Sequence, residues 1–110
     1  MAKVKRILVT ASSGNVFSDM GLPDAAELGA KVRLGAAIQQ IVARRQLTQA
    51  EVTAVLGINQ PKVSALLRFK LEGFSVERLM NFLVALGQDV EIVVRSKPRS
   101  RAARIAVKAA

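Results

Sequence analysis

Residues 48–69 read TQAEVTAVLGINQPKVSALLRF, and the architecture of the chain is decided there. Thr48 stands before an apolar-periodic run and has Glu51 three positions later, the capping-box pattern of a helix start. A first helix is therefore expected from Gln49 to Leu56, with Val52, Val55 and Leu56 on its inner face. Gly57 falls where a helix must stop in a left-handed conformation, which a residue without Cβ adopts at least cost. Ile58 plugs the corner, and Asn59 is a good N-cap. Pro61 follows in the first turn, where its missing N–H breaks no helical bond. A second helix thus begins near Gln60, with Val63, Leu66 and Leu67 inward.

That assignment leaves Gln60, Lys62, Ser64, Ala65 and Arg68 facing outward, a set suited to a duplex. A glutamine at the front of a helix can bond an adenine edge, a lysine a guanine edge or a phosphate, and the small apolar Ala65 can meet a thymine methyl. Gln49, at the N-terminus of the first helix, is placed to meet a phosphate, because free N–H groups and the helix dipole favour an anion there. Asn59 and Lys70 complete the expected DNA-binding set, and Arg44 and Arg45 are expected to touch the DNA backbone more weakly. The competing reading is an ordinary helical hairpin with a solvated polar face. Cap, glycine, corner residue, second cap and polar front together favour DNA.

The run LTQAEVTAVLGINQPKVSALL resembles the helix-turn-helix of Cro/repressor-type regulators. With GNVFSDMGLPDAAEL before it and QPKVSALLRFKLEGFSVERLMNFLVALGQDVEIVV overlapping and extending it, the stretch from Gly14 to Val94 is similar to the HigA-like and HipB-like antitoxins of bacterial toxin–antitoxin modules. The resemblance implies a mainly α fold, a five-helix-type repressor domain with a C-terminal β-strand for dimerisation. It further implies a homodimer that binds its own double-stranded DNA operator and neutralises a cognate toxin. Gln49, Gln60, Lys62 and Ser64 match positions at which members of that family contact DNA.

Composition narrows the alternatives. At 110 residues the chain suits one small domain, better stabilised as a dimer than alone. It has no cysteine and no histidine, so disulfides, thiol chemistry, the commonest general base and the usual zinc ligands are absent. The eight acids stand at helix starts or singly, where dipole and solubility roles suffice. No catalytic residue, metal or cofactor is expected, and the chain is not expected to be an enzyme. No apolar run approaches the ~20 residues of a membrane span, nor does the N-terminus carry a signal core. A cytoplasmic protein with no membrane partner is expected.

The net charge of +9 is unevenly placed. Residues 1–18 carry +3, residues 95–110 carry +6, and residues 19–94 sum to zero. Within that neutral body, Arg44 to Lys70 holds five bases and one acid. The local excess supports a duplex partner better than the total does.

Three regions are expected: an N-terminal arm at 1–13, strand-forming or disordered; the helix-turn-helix domain at 14–95; and a basic tail at 96–110, largely disordered. Asn15 to Gly21, with Val16, Phe17 and Met20, reads as a short capping segment together with Leu22. Pro23 and Asp24 open a long helix to Arg45, whose buried stripe is expected to be Leu28, Val32, Gly35, Ile38, Ile41 and Val42. Ser75 caps a last helix from Val76 to Leu86, closed by Gly87, with Val76, Leu79, Met80 and Leu83 inward. Phe82 falls off that stripe, as rim packing or as part of a partner surface.

Residues 89–95, DVEIVVR, alternate as a strand, and Val90, Ile92 and Val94 are the expected dimerisation residues. The strand needs a partner: the same segment of a second chain, or KVKRILVT at 3–10, whose Lys3, Lys5 and Arg6 would complement Asp89 and Glu91. Both pairings fit a four-stranded dimer sheet. The tail, SKPRSRAARIAVKAA, has three readings: a solvated end, a sequence-independent phosphate clamp, or a segment that folds on a toxin or other partner. Two wider alternatives stay open. One is a phage-type repressor without a toxin; the other is a protein-interaction module whose helix-turn-helix does not read DNA.

Overall fold

The computed structural model describes residues 4–8 and 24–109. In chain order they form β1 (Val4–Leu8), α1 (Asp24–Arg44), α2 (Gln49–Leu56), α3 (Gln60–Leu67), α4 (Val76–Ala85) and β2 (Glu91–Arg95). The expected capping segment at Asn15 to Gly21 lies outside the described residues. The fold is mainly helical with a C-terminal strand, as the resemblance implies, with four helices rather than five among the described residues.

The local rules act as written. Thr48 caps α2 through a complete capping box: its hydroxyl accepts from the Glu51 N–H at 3.1 Å, and its own N–H donates to the Glu51 carboxylate at 3.0 Å. Asn59 caps α3, its Oδ1 accepting from the Lys62 N–H at 2.9 Å, and the Ser75 hydroxyl accepts from the Arg78 N–H at 3.0 Å. Gly57 takes the left-handed conformation with φ 67°, and Ile58 is buried behind it.

Three helices end in the same way, and two of them without glycine. At the ends of α1, α3 and α4 the residue after the cap is left-handed: Gln46 (φ 54°), Phe69 (φ 59°) and Gly87 (φ 82°). The next N–H then reaches back five residues: Leu47 to Val42, Lys70 to Ala65, Gln88 to Leu83. These Schellman bonds satisfy carbonyls that the helix ends leave over.

The core gathers one stripe from each helix. Ala30, Leu34, Ile38, Ile41 and Val42 of α1 meet Val52 of α2, Val63 and Leu66 of α3, and a broad face of α4. α1 packs chiefly on α4, and α2 on α3.

Four apolar positions depart from expectation. Leu28 is 59% exposed and Val32 44%, because the first half of α1 buries Ala30 and Leu34 instead. Both stripes are apolar and both converge on Ile38; the sequence alone does not choose between them. Gly35 is buried as expected: a Cβ there would meet a Leu71 methyl at 3.3 Å. Val55 is 43% exposed, since an eight-residue helix presses only a narrow stripe, Val52 with half-buried Leu56, onto its neighbours. Phe82 is neither rim nor partner surface. It is buried edge-to-face on Phe74, ring centroids 5.8 Å apart, and the Arg78 guanidinium lies 5.6 Å from each ring. Phe74, from the loop after α3, gives α4 a second wall that periodicity does not reveal.

β2 pairs with β1 antiparallel, Val4 opposite Arg95 and Leu8 opposite Glu91. The N-terminal run is therefore the partner within one chain. Its register sets Lys5 against Val94 and Arg6 against Val93, not against Asp89 and Glu91 as charge complementarity would have it. Val90 packs on the core, Ile92 is half-buried, and Val94 is 53% exposed. Beyond the strand the chain turns at residues 99–100 and continues to residue 109 without helix or strand.

Candidate nucleic-acid interface

The glycine corner fixes how α2 and α3 present their front ends. Both helices begin with glutamine, and the turn brings the two side chains together: Gln60 Nε2 donates to Gln49 Oε1 at 3.4 Å. The bond is long and therefore weak. It is still informative, because it leaves exposed Gln60 its second amide N–H and its carbonyl oxygen, the donor–acceptor pair that an adenine edge requires. The sequence points to both residues but not to their contact. The signal was present, since first residues of successive helices become neighbours when a tight corner joins them.

Around this pair the expected residues divide into two groups. Gln49, Asn59, Gln60, Lys62, Arg68 and Lys70 are exposed, as are Arg44 and Arg45 at the end of α1. Asn59 spends its carbonyl oxygen on the cap. Arg68 is turned back along α3, its Nε donating to the Ser64 carbonyl at 3.3 Å. Ser64 and Ala65 are only half-exposed, and Ala65 rests partly on the core.

Lys62 and Lys70 stand on one depression of about 430 Å³, lined also by Asn59, Pro61, Ala65, Glu72, Gly73 and Phe74. Lys70 arrives there because left-handed Phe69 reverses the chain and the Lys70 N–H returns to Ala65 O at 2.9 Å. A second tie holds the C-terminal end of α3: Gln39 Nε2 on α1 donates to Leu67 O at 3.1 Å. Nothing in the sequence singles out Gln39, an outward residue of a long helix.

The front of α2 presents backbone amides that an anion can use. The cap uses the Glu51 N–H, which leaves the earlier amides of the first turn without helical partners. The Thr48 N–H, bonded to the Glu51 carboxylate, holds that carboxyl below its ordinary value, and the Thr48 hydroxyl acting on the same carboxylate adds to the effect. Glu51 is thus committed to the cap as an anion.

The chain is similar to known proteins over most of its length. Residues 16–95 match a family model described as "Helix-turn-helix domain". A solved structure named "Putative XRE Family Transcriptional Regulator" is 64% identical, covers 80% of this chain and 100% of its own, and superposes with a TM-score of 0.77. Among curated proteins no match is found.

Proposed function

Because the chain belongs to the helix-turn-helix family, as a regulator of the XRE type, we propose that it is a sequence-specific transcriptional repressor that lays α3 in the major groove. The family is one of DNA-binding regulators rather than enzymes. In this reading Gln60 takes an adenine edge, steadied from the side by Gln49, which also meets a phosphate. Lys62 reads a guanine or grips the backbone, Lys70 sits across the same depression, and Arg44 and Arg45 flank the groove. The observation that carries the assignment is the bond between Gln60 and Gln49 on an otherwise exposed polar front.

Two copies make the operator reader. A two-stranded sheet is marginal alone, and among the described residues β2 pairs only with β1. Pairing of β2 with the β2 of a second copy gives four strands about a two-fold axis, the symmetry that half-sites about 34 Å apart require. Val94, exposed on that sheet, is available to the second copy. The finer reading is an antitoxin that represses its own operon from the cytoplasm, and it rests on the resemblance of residues 14–94 to that family.

A gel shift with DNA from upstream of the gene tests the repressor. Wild type shifts it in preference to an unrelated duplex. Changing Gln60 and Lys62 together to Ala removes the preference, at a cost of about 1–3 kcal/mol per reading contact. Equal binding of both duplexes by wild type would sink the repressor reading. Coexpression with the adjacent gene separates the finer alternatives: a stable complex supports the antitoxin, and its absence leaves a repressor without a toxin.

A further inference from the structure

The body of the chain from 19 to 94 is electrically neutral, while Arg95 to Lys108 carries six cations and no acid. A tail of that composition is ordinarily solvated and independent of the domain it follows. Here it is not independent. Val107 packs against the core, and Ile105 is half-buried beside exposed Arg104, Ala106 and Lys108. Burial therefore alternates along 104–108, with Ile105 and Val107 toward the protein and Arg104, Ala106 and Lys108 away from it, the pattern of an extended segment lying on a surface. Lys97 and Arg99 are exposed as well, near the turn that follows β2.

We propose that residues 96–109 are a phosphate-binding strap, held to the domain through Val107 and binding DNA backbone without regard to sequence. The inference rests on the DNA-binding function proposed above and adds a second contact, remote in sequence from the reading helices. Anchoring matters energetically, because a loose polybasic end must be ordered when it binds and an anchored one is ordered beforehand. The same arrangement argues against a lipid surface: a membrane-seeking segment turns its apolar face outward, whereas Val107 is committed to the core. Base reading is not expected from it, since point cations on phosphates fix position and affinity rather than sequence.

The test is a salt titration of binding by the full chain to operator and to an unrelated duplex. It compares wild type with a variant in which Lys97, Arg99, Arg104 and Lys108 are all Gln, and with Val107→Ser. The four-site variant changes only exposed positions, so its circular dichroism should match wild type. Each phosphate contact contributes about 0.9 to the slope of log K against log salt. The four-site variant is expected to flatten that slope by roughly 2–4 and to weaken both duplexes by the same factor. Val107→Ser keeps the cations and the slope but weakens both duplexes severalfold. An unchanged slope in the four-site variant overturns the strap, as does a loss confined to operator DNA. Unchanged affinity in Val107→Ser overturns the anchoring. If wild type fails to prefer operator, the repressor reading falls, while the slope comparison still reports on the tail.

Discussion

At the scale of single residues, the strain of this domain is concentrated at helix ends. Gln46 and Phe69 occupy the left-handed region that glycine fills at little cost, and a side chain there costs about 1–2 kcal/mol. Gln46 is exposed, so Gln46→Gly should raise stability by about 0.5–1 kcal/mol, read as a melting temperature several degrees higher. An unchanged or lower melting temperature would contradict the strain argument. Phe69 differs, because its ring, though 39% exposed, lies beside Gly35 of α1 and its removal would uncover that position. Glu51 gives a test in pH. Its carboxyl is lowered in the folded state by the Thr48 bonds; the stabilisation is complete above the ordinary carboxyl value and disappears as pH falls through the lowered one. Glu51→Gln should therefore be less stable near neutrality and should lose less further stability on acidification than wild type. Parallel pH–melting curves for the two proteins would dismiss this role.

Elements were legible where chemistry acts locally. Thr48, Gly57, Asn59, Pro61 and Ser75 fixed the starts of α2, α3 and α4 and the corner between α2 and α3, since caps and turns are short-range devices. Faces were less legible where an element has apolar residues on two sides. The first half of α1 offered Leu28 and Val32 against Ala30 and Leu34, and only the packing partners decide. Phe82 was misplaced for the same reason: its wall, Phe74, comes from a loop. Replacing Phe82 by Ala should cost about 3–5 kcal/mol in urea unfolding, the penalty of a core cavity. A loss near zero would return Phe82 to the rim. Removing a cap has a smaller, separable effect: Asn59→Ala should cost about 1 kcal/mol, and because Asn59 adjoins Gln60 the DNA affinity should be measured beside stability.

For the whole molecule, the candidate site was legible as a set of residues but not as a mechanism of support, because the Gln49–Gln60 bond and the Gln39–Leu67 tie are tertiary. The strand was visible from its alternation, whereas its register with β1 was not, because charge complementarity pointed to a pairing the backbone does not adopt. Truncation after Gly87 removes β2 and should convert a sedimenting dimer to monomer; an undiminished dimer would take the sheet out of the assembly. The pairing of β1 with β2 also imposes an order on folding. Leu8 and Glu91 are partners more than eighty residues apart, so closing that loop is entropically late, after the helices with their shorter-range contacts. On the ribosome the asymmetry is sharper. β1 is synthesised first, and at about 5–20 residues per second it waits roughly 4–17 s for its partner, an interval in which a strand of VKRIL is open to pairing with other nascent chains.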